Sequence, residues 1–212
     1  YVADGGIPMK GIRSVSIPGL VDGWLLAHER HGQIPLAQVF APAVTLCEGG
    51  FPISYRLAEG LRNELPRFAE DLYTRAIFTN DGEPLAPGEL LIQTNLGRSY
   101  REVAAGGRSL FYEGEIARAI IEFSQSRNGL LAAKDLADFH AHWDEPIQPA
   151  YRGYTVYEMP PNSSGHILLQ ELNMVEQFDL QIMGCNSAES VHVMVEAKKL
   201  AFADRERYVA DP

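Results

Sequence analysis

Tyr151-Arg152-Gly153-Tyr154-Thr155-Val156-Tyr157-Glu158-Met159-Pro160-Pro161-Asn162-Ser163-Ser164-Gly165 is the stretch whose reading decides the fold. Arg152 and Gly153 separate two extended runs, 145–151 and 154–159, by the two residues of a tight hairpin, and Gly153 can take a positive φ. Neither Pro160 nor Pro161 can donate to a ladder, so the sheet ends there. Ser163, Ser164 and Gly165 then open an apolar helical run from His166, with the serines expected as caps. The expectation is a hairpin, a stiff turn and a capped helix.

Upstream, helical patterns dominate. Asp22 is placed to cap a helix over 23–31 with Trp24, Leu25, Ala27 and His28 on one side, and Gly32 offers a left-handed stop. The run 36–48 carries Leu36, Val39, Phe40, Val44 and Cys47 at helical spacing, and Pro42 inside it predicts two short helices or a kink. Ser54 caps a run with Leu57, Leu61 and Leu65 that extends through Phe68 and is interrupted at Pro66. Asn80-Asp81-Gly82 and Pro87-Gly88 mark turns in a surface loop. Helices follow over 96–105 and over 111–127, the second with Ile116, Ile120 and Phe123 on one face and Asn128-Gly129 at its end. Beyond the hairpin, Ile167, Leu168, Leu172, Met174, Val175 and Phe178 describe a broadly buried helix. Ser187 caps a last one through Val191, Val195, Leu200 and Phe202.

With 212 residues, 46% of them hydrophobic, the chain can bury a sizeable core as one domain. A net charge of −10, with no basic cluster beyond Lys198-Lys199, argues against nucleic acid or an anionic membrane as partner. No apolar run approaches the roughly 20 residues of a membrane span. Cys47 and Cys185 are too few for a disulfide framework and are expected as buried free thiols. The chain starts at Tyr1 and stops at Asp211-Pro212 just past a helical pattern, so it reads as a fragment, with the compartment left open.

Candidate chemistry is sparse. Ser163 or Ser164 at a strand-to-helix turn suggests a nucleophile elbow, but Asn162 stands where the first glycine of Gly-x-Ser-x-Gly belongs for Ser164, so capping is the better reading, and His166 is a first-turn residue. His192 and Glu196 share a helix face with Asp204 further along; without a second histidine or a cysteine motif they read as a surface pair. Asp204-Arg205-Glu206-Arg207 is a charged helical face. His140 and His142 lack a carboxylate or thiol partner, and Gly5-Gly6 and Gly106-Gly107 do not make a dinucleotide fingerprint. No metal or cofactor is expected.

Tyr-Arg-Gly-Tyr followed by Pro-Pro-x-Ser-Ser-Gly and Leu172-Asn173 closely resembles the large subunit of gamma-glutamyltranspeptidases. Three further blocks match in order: Ser16-Ile17-Pro18-Gly19-Leu20-Val21 with Trp24, Phe111-Tyr112-x-Gly114-x-Ile116-Ala117, and Glu196-Ala197-x-x-Leu200-Ala201-x-Ala203-Asp204-Arg205 with Asp211-Pro212. The resemblance implies an α/β, helix-rich portion of an N-terminal-nucleophile hydrolase αββα sandwich, with 1–212 a single-domain piece that is incomplete without the small subunit. It implies an activity on glutathione or related gamma-glutamyl compounds. A threonine at the start of the small subunit attacks the gamma-glutamyl amide, and the acyl group passes to water or an amino acid.

Among Thr45, Thr74, Thr79, Thr94 and Thr155 none has that setting, and Arg13 lacks the Arg-x-x-Ala-Pro context of the family's substrate arginine. No catalytic or substrate-binding residue is therefore carried over. The family also places a hydroxyl residue where Ala132 stands, which puts the start of the following short helix in doubt. Relatives acting on poly-gamma-glutamate or beta-lactam side chains, and a non-catalytic scaffold of the same fold, are the alternatives. Bacterial relatives are often periplasmic or secreted.

Overall fold

The computed structural model describes residues 6–209, so Tyr1, Gly5 and the Asp211-Pro212 pair of the last matching block lie outside the described residues. The chain forms two compact units, 1–142 and 143–212. Helices carry both. Strands occur as three antiparallel two-stranded pairs among the described residues. No helix among them is long and apolar enough to cross a membrane.

In the first unit, a 3-10 turn at Ile12–Ser14 precedes α1 (Leu20–His31), α2 (Leu36–Gly49), β1 (Phe51–Pro52), α3 (Tyr55–Phe68), α4 (Leu72–Phe78), β2 (Thr79–Asn80), β3 (Glu83–Pro84), β4 (Leu90–Leu91), α5 (Thr94–Tyr112), α6 (Glu115–Ser126) and α7 (Ala133–Asp138). Helix α5 is central and packs chiefly on α2, then on α6 and α1. Gly97 lets α2 and α5 close up, since a Cβ there would lie 2.9 Å from Glu48 Cγ, and Val103 joins Phe40 and Val44 in their shared core. Gly107, at φ 60, breaks α5. That conformation favours glycine and redirects the last turn, which carries Arg108 and Tyr112.

Several expectations change here. Pro42 does not split α2: only the Gln38 carbonyl loses its helical donor, Gln38 is exposed to water, and the Thr45 hydroxyl donates to Ala41 O at 2.9 Å. Pro66 likewise lies within α3, whose Ser54 cap is found, with the Leu57 N–H donating to Ser54 Oγ. The expected turns are found, with Asp81 (φ 50), Gly82 (φ 88) and Gly88 (φ 89), but the first closes a β2–β3 hairpin and Leu85 between them is buried; α4, capped by Asp71, precedes them where no helix was expected. On α6 the buried stripe is Ala117, Ile121 and Ser124, one position round from the expected face, while Phe123 is exposed. Val39 and Ala27 are exposed, and Gly32 is extended rather than left-handed. Cys185 is exposed and Cys47 half-buried.

Helix α7 starts at Ala132 without a side-chain oxygen, and the Asp135 carboxylate accepts from the Ala132 N–H at 2.8 Å, half of a capping box. Ala132→Ser supplies the other half. The exposed site has room for it, and unfolding in urea is expected to show a gain of about 0.5–1 kcal/mol.

The second unit holds β5 (Ala150–Tyr151), β6 (Tyr154–Thr155), α8 (Gly165–Val175), α9 (Leu180–Met183) and α10 (Ala188–Tyr208). The hairpin is in the expected place and turns through Arg152 (φ 48) and Gly153 (φ 85), but its ladder is shorter than expected. Ile147 still pairs with Glu158 in the same register, and Val156 N–H reaches Pro149 O at 3.1 Å. Pro149 has no N–H to return, so the ladder is interrupted between the two ends.

Helix α10 is capped by Ser187, as expected. Its buried positions are Ser190, Ala197 and Ala201, seven and four apart, and its principal neighbour is α8. Val191, Val195, Leu200 and Phe202, the large apolar residues along this helix, are exposed. On α8 the core residues are Ile167, Leu169 and Val175, while Leu168 is exposed, as is Phe178 beyond the helix's end.

Candidate functional site

The Pro-Pro-Asn-Ser-Ser-Gly corner is a hydrogen-bonded turn feeding α8. Ser163 N–H donates to Pro160 O, Ser163 Oγ donates to Met159 O at 3.1 Å, and the Gly165 N–H donates to Ser163 Oγ at 3.3 Å. The capping expectation therefore holds for Ser163 and fails for Ser164, which stands at the N-cap without a side-chain cap bond. Gly165 is required by space: a Cβ would lie 2.7 Å from both Glu158 Cβ and Met159 O. Arg152 ties the hairpin to the far end of the helix, its N–H donating to Glu176 Oε1 at 2.6 Å and its Nη2 to Phe178 O at 3.0 Å. The Tyr-Arg-Gly-Tyr signature thus closes a turn and clamps the C-terminal end of α8.

A polar cleft of about 240 Å³ opens at this corner, lined by Asn162, Ser163, Ser164 and His166 and by Arg205 and Glu206 of α10. It does not hold a nucleophile and a base in contact. His166 Nδ1 faces the Ser163 carbonyl at 3.3 Å rather than a hydroxyl, and its Nε2 is buried without a partner. Arg205 bonds Glu206 at 2.6 Å. The cleft can hold polar groups through hydroxyls and a guanidinium, but no proton path runs from serine to histidine.

In the first unit the Pro-Gly and Phe-Tyr blocks meet. Tyr112, 1% exposed, donates its hydroxyl to Pro18 O at 2.7 Å and accepts from the Asp22 N–H at 3.1 Å. It thereby supplies, from 90 residues away, the cap oxygen that Gly19 lacks at the start of α1. Asp22 is not the cap expected from the sequence. It is a buried residue of the first turn whose Oδ2 accepts from the Ala141 N–H at 2.6 Å, with Arg108 Nε 3.2 Å from Oδ1. Arg108 also reaches Glu113 and the carbonyls of Ala137 and Phe139. Gly19 leaves room for Phe139, whose Cζ would lie 2.6 Å from a Cβ there. Sequence reasoning missed this knot. No local signal pointed to it, since Asp22 stands between Val21 and Gly23 and Arg108 between Gly107 and Ser109.

Burial pushes the Tyr112 phenol above its ordinary value, and the Asp22 charge adds to this, against the opposing Asp22 N–H and Arg108. Above about pH 10, the phenol's unfolded value, the folded state holds a proton that the unfolded chain has lost, so stability falls as pH rises further; below it this contribution is complete. Tyr112→Phe is expected to flatten that alkaline slope in thermal unfolding and to cost about 1–2 kcal/mol at neutral pH by stranding Pro18 O and the Asp22 N–H.

The other candidates stay apart. Glu196 bonds Lys199 at 2.6 Å, which, with lesser help from the Lys199 and His192 charges, holds its carboxyl below the usual range. Asp204 accepts from Gln170 at 3.1 Å. Among the described residues no three metal-capable side chains gather. His140 and His142 are exposed near the end of the first unit. Thr45 and Thr79 return their hydroxyls to helical carbonyls, at 2.9 and 2.8 Å.

Comparison with known proteins follows the same blocks. The sequence profile of gamma-glutamyltranspeptidase matches residues 2–212. The glutathione hydrolase proenzyme of Escherichia coli is 42% identical over 200 residues, 92% of this chain and 34% of that protein. The solved gamma-glutamyltranspeptidase of Helicobacter pylori superposes with a TM-score of 0.91 at 31% identity, covering 97% of this chain and 59% of that one. The cephalosporin acylase of Bacillus halodurans gives a TM-score of 0.91 at 32% identity, covering all of this chain and 41% of that one. The chain spans between about a third and two fifths of the length of the curated relatives it matches. With three of the four signature blocks accounted for by the hairpin, the corner and the Tyr112 knot, and with the helix-rich α/β fold matching these solved structures, the chain belongs to the gamma-glutamyltranspeptidase family.

Proposed function

We propose that the chain is part of a gamma-glutamyltransferase or glutathione hydrolase that cleaves gamma-glutamyl amides and hands the acyl group to water or an amino acid, with the nucleophilic threonine brought by polypeptide outside residues 1–212. The observation that carries this is the family match along 2–212 together with a signature corner in which no serine hydroxyl meets His166. Residues 1–212 then act as scaffold: the knot and the Arg152 clamp hold helices against which a small catalytic subunit packs. The exposed apolar residues Val191, Val195, Leu200 and Phe202 of α10 support such a partner.

A full-length protein assayed with a gamma-glutamyl anilide is expected to release the chromophore, and residues 1–212 alone to release none. Turnover by the isolated chain overturns the placement of the nucleophile. A second reading, an acylase for beta-lactam side chains, is favoured by the equal fit to the cephalosporin acylase. It predicts that the full-length protein hydrolyses a glutaryl-cephalosporin in preference to the anilide. Failure of both substrates favours a non-catalytic scaffold.

A further inference from the structure

Residues 51–91 pack as a body of their own within the first unit. One hydrophobic cluster, Ile53, Ala58, Leu61, Leu85 and Leu91, lies wholly inside this stretch, and so do the half-buried side chains against it, Phe51, Leu57, Phe68 and Phe78. The other two clusters of the unit draw no residue from it. Its strand pairs are internal, β1 with β4 and β2 with β3, and the principal neighbours of α3 and α4 are also internal.

The body leaves and rejoins the chain at one neck. Gly50, at φ 76, leads into β1, and just past β4 the Gln93 N–H donates to Cys47 O at 2.7 Å. Away from the neck, the body touches the end of α6. Arg127 Nη1 lies 3.1 Å from Asp71 Oδ2, its guanidinium sits over the rings of Tyr73 (5.7 Å) and Phe123 (4.6 Å), and Tyr73 meets Phe123 edge-on at 5.6 Å. The pair is open to water, with side-chain exposures of 41% for Arg127 and 31% for Asp71. A cleft of about 910 Å³ runs beneath, with Phe68 and Tyr73 on the lobe's side and Ile12, Val15 and Phe123 opposite.

We propose that residues 51–91 are a lid that swings as a rigid lobe about the Gly50/Gln93 neck, uncovering the cleft beside Ile12 and Phe123, and that Arg127, held between Tyr73 and Phe123 and paired with Asp71, is its latch. A lobe with its own core loses little packing when it moves, and a solvent-open ion pair with one cation–π contact and one edge-on ring contact is a weak tether. The ordinary alternative is a fixed excursion that opens only by unfolding. The inference does not depend on which family reaction the whole protein performs.

The test is a distance measurement between spin labels at Glu59→Cys in α3 and Glu122→Cys in α6, both exposed positions, in a full-length protein otherwise free of cysteine. Arg127→Ala is expected to raise the population of a longer distance by roughly tenfold or more. Amides inside the lobe, such as Ala58 N–H to Ser54 O and Leu85 N–H to Phe78 O, keep their protection from hydrogen exchange, and Arg127→Lys has a smaller effect. An unchanged distance in Arg127→Ala overturns the proposal. A longer distance accompanied by loss of protection at Ala58 and Leu85 overturns it too, because the lobe would then be melting.

Discussion

Asp22→Ala is expected to lower stability by about 3 kcal/mol, near the bottom of the range for breaking a buried pair. The side chains of Asp22 and Arg108 are only 10% and 24% exposed, so removing the carboxylate leaves a cation in a poorly hydrated site. The loss is not larger because Arg108 keeps Glu113 and the carbonyls of Ala137 and Phe139. The Ala141 N–H also loses its 2.6 Å acceptor, which loosens the segment after α7. Asp22→Asn separates the two effects: the amide oxygen still accepts from Ala141, but the charge is gone, so an intermediate loss is expected. Urea unfolding with an unchanged m-value measures both variants. A loss below about 1 kcal/mol for Asp22→Ala would mean that the pair is no stronger than a surface ion pair.

That pair shows where sequence reading stopped. Arg152-Gly153 announced a hairpin because a two-residue turn with positive φ has few sequence solutions, and Ser54 and Ser187 announced helix starts because a cap bonds an amide three residues away. Such signals are local. Asp22 offered the same local signal and was misread, since its partners, Arg108, Tyr112 and Ala141, lie 86 to 119 residues on, and no spacing rule connects them. Pro149 interrupts the strand entering the hairpin because it has no N–H to return to Val156, a local signal that is legible in the sequence. Helix α4 is seven residues long, too short for its periodicity to stand out, although Asp71 marked its start.

Which apolar side of a helix is buried was the least legible feature. On α10 the large residues Val191, Val195, Leu200 and Phe202 are exposed, and the chain buries the small Ser190, Ala197 and Ala201 instead. Periodicity reports that an apolar side exists; it does not say which neighbour covers it. The candidate site followed the same division. The corner was legible as a turn, and the absence of a serine nucleophile was argued from Asn162. The roles of Arg152 as a clamp and Tyr112 as a remote cap required coordinates.

Leu136→Ala tests how a helix with a poor start is held. Helix α7 has six residues and no cap oxygen at Ala132, so its own propensity cannot keep it folded. Leu136 is 0% exposed and packs with Tyr112, Ala117 and Ile121. Truncation removes buried methyl groups and leaves a cavity bounded by the rigid Tyr112 ring, for an expected loss of about 3–4 kcal/mol in urea unfolding. The damage extends beyond the cavity, because α7 leads directly to the Phe139 carbonyl that Arg108 binds and to the Ala141 N–H that Asp22 accepts. Leu136→Ala and Asp22→Ala are therefore expected to be less than additive, since each already releases the segment the other holds. Strict additivity in the double variant would separate α7 from the knot and leave the Phe139 and Ala141 contacts without an energetic role.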